Sequence, residues 1–287
     1  MLPEQTARRE YSDSTRSWML PGTKREDLLY VADARLVRVY ALPKAKLVGT
    51  LKVSDGPDGE CSSASTGDIF IVEGPTIVEY AHGGTTPIET LNESGDDAWS
   101  CAVDATTGNL AVTNVVDPLE VSIFPGATGP PTNYDLPGMA LAYDCVYDDS
   151  GDLFVAGLTS PGYAFALDEL KKGSSSLFTV GLKNIGKTSA SAYAGLAWDS
   201  KYVVLASDTD AYRYKIHGGV GTPEGATVFK GASEVYGMWL GLNEIIVPSD
   251  GTENVLFYEY PAGGNPTKTI TGFSQPRAAT VSKVSGR

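Results

Sequence analysis

The chain has 287 residues, 42% of them hydrophobic, which is enough apolar side chain for a sizeable core. Its formal net charge is -13, from 22 Lys and Arg against 35 Asp and Glu, and such a surface repels nucleic-acid phosphates and anionic lipid. No apolar run approaches the ~18 residues of a membrane-crossing helix, and three cysteines cannot all pair within the chain.

Residues 1–26 are polar, without a strand period, and read as an N-terminal tail. Within it, Trp18-Met19-Leu20-Pro21 is the segment expected to dock on the body. From Asp27 onward one unit recurs. Its core words are Leu29-Tyr30-Val31-Ala32-Asp33, Ile69-Phe70-Ile71-Val72-Glu73, Leu110-Ala111-Val112-Thr113-Asn114, Leu153-Phe154-Val155-Ala156-Gly157, Val203-Val204-Leu205-Ala206-Ser207 and Ile245-Ile246-Val247-Pro248-Ser249. Their first residues lie 40, 41, 43, 50 and 42 positions apart, the period of a propeller blade. Each unit reads as an inner strand, a turn such as Thr107-Gly108-Asn109, the core word, a third strand, a Gly/Pro hairpin and an outer strand. In the fourth unit, Leu167-Asp168-Glu169-Leu170-Lys171-Lys172 reads as one inserted helical turn.

The first unit lacks an inner strand ahead of Asp27, while Pro276-Arg277-Ala278-Ala279-Thr280-Val281 is a spare strand at the C-terminus. That strand is expected to complete the first blade and close the ring, removing the open edges of the array. The prediction is a single all-β domain over residues 27–287, a six-bladed β-propeller of four-stranded antiparallel blades. Its blades are 27–52 with 276–283, then 57–91, 97–135, 141–181, 192–230 and 234–270.

The pattern resembles the NHL-like six-bladed propellers, most clearly at Cys101-Ala102-Val103-Asp104 followed by Gly108-Asn109-Leu110-Ala111-Val112. The words Asp27-Leu28-Leu29-Tyr30-Val31, Tyr80-Ala81-His82-Gly83-Gly84 and Tyr260-Pro261-Ala262-Gly263-Gly264 also resemble a bacterial group of secreted propellers without an assigned activity. The resemblance implies an extracytoplasmic, monomeric binding or scaffold protein, its leader removed. It implies a small molecule, sugar or protein at the central mouth, and no catalysis.

Two rings of residues are expected at that mouth. Starts of inner strands contribute Glu60, Ser100 and Asp144, preceded by Trp99, Tyr143 and Tyr236. Ends of the core words contribute Asp33, Glu73 and Asn114, with Asp117, Asp208, Asp210, Asp250 and Glu253 on the same loops. Aromatic rings beside carboxylates suit a sugar or another flat polar ligand, which makes Trp99, Tyr143, Tyr236, Asp33, Glu73 and Ser100 the candidate binding residues. Converging oxygens suit Ca²⁺. A more distant resemblance, to gluconolactonase-like propellers, implies by position that Glu60, Asn114, Asp144 and Asp208 hold a divalent cation for a lactonase- or esterase-like hydrolysis.

Both histidines, His82 and His217, fall in aligned hairpins on the opposite face, so Ser-His-Asp chemistry at the mouth is not expected. Asp148-Asp149-Ser150-Gly151-Asp152 lacks the distal Glu of a calcium loop and reads as a strand turn. Cys61, Cys101 and Cys145 read as equivalent positions of three successive blades, too far apart for adjacent-blade disulfides and suited to apolar filling between blades.

Overall fold

A computed structural model describes residues 16–93, 95, 97–115, 119–159, 164–183 and 195–284; Asp117 lies outside them. The protein is an all-β propeller of six antiparallel blades. Blade 1 runs from its inner strand Pro276–Ser282 through Leu28–Asp33 and Leu36–Ala41 to Lys46–Lys52. Blades 2 to 6 follow in chain order, with inner strands Gly59–Ser62, Ala98–Val103, Leu141–Tyr147, Leu196–Trp198 and Trp239–Leu240. Their second strands are Ile69–Glu73, Leu110–Asn114, Leu153–Leu158, Val203–Ala206 and Glu244–Ser249.

The C-terminal strand does complete the first blade, pairing antiparallel with Leu28–Asp33. The core words read as continuous apolar runs because both faces of each second strand are buried. In blade 1, Leu28 and Tyr30 pack toward blade 2, while Leu29 and Val31 pack toward blade 6. The core is therefore six apolar clusters, one at each seam between neighbouring blades. Each fully buried Leu, Val or Ile contributes about 1.5–3 kcal/mol to holding a seam.

Two expectations are revised. The predicted helical turn in the fourth unit is a buried strand, Phe165–Leu170, whose carboxylate Glu169 is paired with Lys171 at 2.6 Å. Full pairing to the second strand, Leu153 with Leu170 through Leu158 with Phe165, overrides the local helix propensity of Leu-Asp-Glu-Leu-Lys-Lys. Second, part of the tail is ordered as sheet. Trp18–Met19 pairs with Thr50 and Gly49 as a fifth, outermost strand of blade 1, so the docking expectation for this segment is met. Gly49 suits this pairing, since a Cβ would come 2.8 Å from the Trp18 carbonyl oxygen.

Candidate functional site

The mouth is built by bulges. In blade 3, Ala98 and Ser100 both pair with the second strand, and Trp99 between them is the extra residue. Blade 4 does the same at Tyr143, between paired Ala142 and Asp144. Blade 1 does it at Arg277, between paired Pro276 and Ala278. A bulge re-aims the side chain it leaves unpaired, and here three inner strands use it at the same level of the ring.

The re-aimed groups meet. The Trp99 ring lies 5.9 Å from Tyr143 in an edge arrangement and 6.3 Å from Tyr236, which arrives from the opposite side of the ring just ahead of blade 6. The Arg277 guanidinium carbon lies 5.9 Å from both the Trp99 and the Tyr236 rings, within cation–π reach. Arg277 is also ion-paired with Asp58, which enters blade 2. Burial raises the Asp58 carboxyl above its ordinary range, with Arg277 opposing and Asp97 and Asp55 adding to the rise. Aromatic side chains thus gather at this end of the central channel. Gly59 makes room for the backbone of the blade 3 inner strand: a Cβ there would come 2.3 Å from the Trp99 carbonyl oxygen.

Arg277 was missed from the sequence. The repeats alone do not reveal it, because an extra residue in a bulge leaves no mark in the apolar period. Its charge, the lone basic group beside three ring-forming residues, is the signal that points to it.

Inside this lid the structure separates residues that the sequence aligned together. Glu60 faces Ile71, the third residue of its core word, as Cys101 faces Val112 and Cys145 faces Val155. Cys61 faces Phe70, the second residue. The three cysteines are therefore not equivalent, and Glu60 is the counterpart of Cys101 and Cys145 rather than of Ser100 and Asp144. A one-residue slip turns a strand's side chains to the other face. Cys61 accordingly points forward to blade 3 and Cys101 points back to blade 2. They form a disulfide with Cα atoms 5.6 Å apart, which corrects the expectation that adjacent blades cannot be bridged. Cys145 is a free, buried thiol, as the apolar-filler reading expects.

A cavity of about 350 Å³ follows the channel from the level of Glu60, Ser100 and Asp144 to the far ends of the inner strands at Tyr147, Trp198 and Leu240. Asp144 is held from both sides. Its Oδ1 accepts from the Ser100 hydroxyl at 2.6 Å and the Cys145 amide at 2.8 Å, and its Oδ2 accepts from the Leu196 amide of blade 5 at 2.6 Å. Burial still pushes its carboxyl up to about 7. Glu60 is 7% exposed, and neither of its oxygens completes a hydrogen bond among the described residues. Burial raises it well above the carboxylate range; the nearby amides of Ala32 and Thr280 offset this only in part.

The second predicted ring has a structural job. Four of the six core-word ends clasp the segment that crosses into a neighbouring blade, while Ser207 donates to the Asp210 carbonyl of its own turn at 3.3 Å. Asp33 accepts from the amides of Ser274 and Gln275 at 2.8 Å and pairs with buried Arg38 at 2.6 Å. Glu73 accepts from the Ser54 amide at 2.7 Å and its hydroxyl at 2.6 Å. Asn114 donates to Glu93 at 2.6 Å, and Glu93 in turn accepts from the Gly95 amide and the Ser122 hydroxyl. Ser249 exchanges hydrogen bonds with the Ser233 backbone at 2.9 and 2.8 Å. In blade 4 the position is Gly157, because the Leu141 carbonyl oxygen passes where its Cβ would be, 2.0 Å away.

Of the four residues expected to share a cation, Glu60 and Asp144 line the cavity, whereas Asn114 is spent on Glu93 and Asp208 sits on the turn after the second strand of blade 5. Among the described residues no group of three or more His, Cys, Asp or Glu side chains is placed to hold a metal ion. Of the six expected binding residues, Trp99, Tyr143 and Tyr236 are brought together at the mouth, Ser100 lines the cavity beneath them, and Asp33 and Glu73 hold crossovers. His82 is far from this site; it contacts the Ser282 hydroxyl at 2.5 Å and the Glu26 carbonyl at 3.1 Å, at the ring closure.

No family model matches the chain, and no curated protein matches it. Among solved structures, a chain in the crystal structure of a nidogen/laminin complex is similar over 90% of this chain and 99% of that one, with a TM-score of 0.73 and 11% identity. A chain of Kuenenia stuttgartiensis hydrazine synthase is similar over 78% of this chain and 70% of that one, with a TM-score of 0.60 and 10% identity. At such identities the likeness is one of fold, and the fold is the six-bladed propeller derived above.

Proposed function

We propose that this is a non-catalytic, extracytoplasmic binding propeller of NHL-like type that engages a sugar or a protein surface at the mouth formed by Trp99, Tyr143, Tyr236 and Arg277. The observation that carries the reading is the set of three bulges that turn Trp99, Tyr143 and Arg277 onto one spot. Bulges interrupt pairing and cost ladder hydrogen bonds, so their repeated use at one level argues for a built surface. Trp99 and Tyr236 keep part of their surface open to solvent, as a stacking platform requires. The Cys61–Cys101 disulfide supports an oxidising compartment.

Titration against a saccharide panel and surface glycoproteins, followed by Trp fluorescence and calorimetry, tests the proposal. Binding that falls at least tenfold in Trp99→Ala and Tyr236→Ala, with the folded spectrum retained, supports it. Binding untouched by both substitutions refutes the mouth as the site. The competing cation-dependent hydrolase is tested by unfolding with EDTA and then Ca²⁺, together with a lactone and ester panel. A midpoint that follows the cation, with turnover, would replace the binding reading.

A further inference from the structure

At the ring position facing the preceding blade, five blades carry Ala279, Cys101, Cys145, Leu196 and Met238, all apolar. Blade 2 carries Glu60. Seam packing therefore does not need a carboxyl group there, and a buried carboxyl without a hydrogen-bond partner costs stability. Glu60 lines the 350 Å³ cavity, and so does Asp144 from blade 4. Among the described residues no Lys, Arg or His lines it, so none of their basic side chains neutralises these two acids within the cavity. Its far end is apolar and aromatic, with Trp198, Trp239 and Leu240. Two acids deep in a channel with no internal counter-ion, below an apolar collar, match a small cation that carries both N–H donors and a hydrocarbon body.

We propose that this cavity binds a small aliphatic ammonium ion, its N–H groups donated to Glu60 and Asp144 and its carbon chain lying along the channel toward Trp198 and Leu240. The site lies inside the channel beneath the aromatic mouth, from the level of Glu60, Ser100 and Asp144 inward. Ser100 holds Asp144 in place through its hydroxyl, and Glu60 is the group left for the ligand. The volume is that of the smaller ligand pockets, which suits an amine of a few carbons.

Thermal unfolding and calorimetry at pH 8 provide the test, with methylammonium and putrescine as probes, methanol and 1,4-butanediol as neutral counterparts, and matched NaCl as the salt control. The expected result is a dose-dependent rise of the midpoint with an amine and none with the alcohols, since only a ligand of the folded state shifts it. Glu60→Gln should fold at least as well as the parent and bind the amine about tenfold to a hundredfold more weakly, the loss of one charge-assisted hydrogen bond. An amine response equal to that of NaCl, equal binding of the diol, undiminished binding by Glu60→Gln, or a response to Ca²⁺ alone would each overturn the proposal.

Discussion

Reduction of the Cys61–Cys101 bond is the most direct test of the register that the structure assigns to blade 2. The two residues are 40 apart in sequence, and the bond ties neighbouring inner strands. Closing a loop of that length lowers the entropy of the unfolded chain by about 13 cal/mol/K, worth about 4 kcal/mol at 25 °C. With an unfolding entropy of about 2.1 cal/mol/K per residue over the whole chain, the midpoint should drop by about 7 °C on reduction. Differential scanning calorimetry of oxidised protein, reduced protein and the Cys61→Ala/Cys101→Ala variant measures this, reduced protein and variant falling together. Thiol titration in denaturant should count one reactive thiol, Cys145, before reduction and three after. Three reactive thiols in protein prepared under oxidising conditions, or a loss below about 1 kcal/mol, would refute the offset between Cys61 and Cys101.

The acid groups of the channel make stability fall as pH rises. Glu60 and Asp144 hold their protons more tightly folded than unfolded, so their contribution is complete below the unfolded carboxyl range near 4 and is lost on the way up, through about 7 for Asp144. Denaturant unfolding between pH 4 and 8 should show that decline, and Glu60→Gln should flatten it and raise stability at neutral pH; an unchanged slope would contradict the burial assigned to Glu60. Gly157→Ala drives a Cβ into the Leu141 carbonyl and should cost on the order of 3 kcal/mol, read from the denaturation midpoint, with a change under 0.5 kcal/mol counting against the close approach. Removing residues 276–287 deletes the closing strand and exposes the edge of Leu28–Asp33; loss of the cooperative transition is expected, and a truncated protein with native unfolding would refute closure by this strand.

The recurrence of Leu29-Tyr30-Val31, Leu110-Ala111-Val112 and their counterparts was sufficient to determine six blades, their order and the closing role of Pro276–Ser282, because a second strand buried on both faces carries consecutive apolar residues through its first three positions. Trp99, Tyr143 and Tyr236 were legible as one group, since they recur at matching places in their repeats. What those strands do locally was not legible. Apolar spacing does not record a bulge, so Arg277 was hidden one residue from its place, and aligning on cysteine concealed the slip that points Cys61 and Cys101 at each other. Asp33, Glu73 and Asn114 look like ligand groups in sequence because clasping a crossover amide and binding a ligand call for the same oxygen-bearing side chains. Only the tertiary structure, by setting which backbone passes each side chain, decides between the two; the sequence determines the repeat, and strand register determines where each charge is spent.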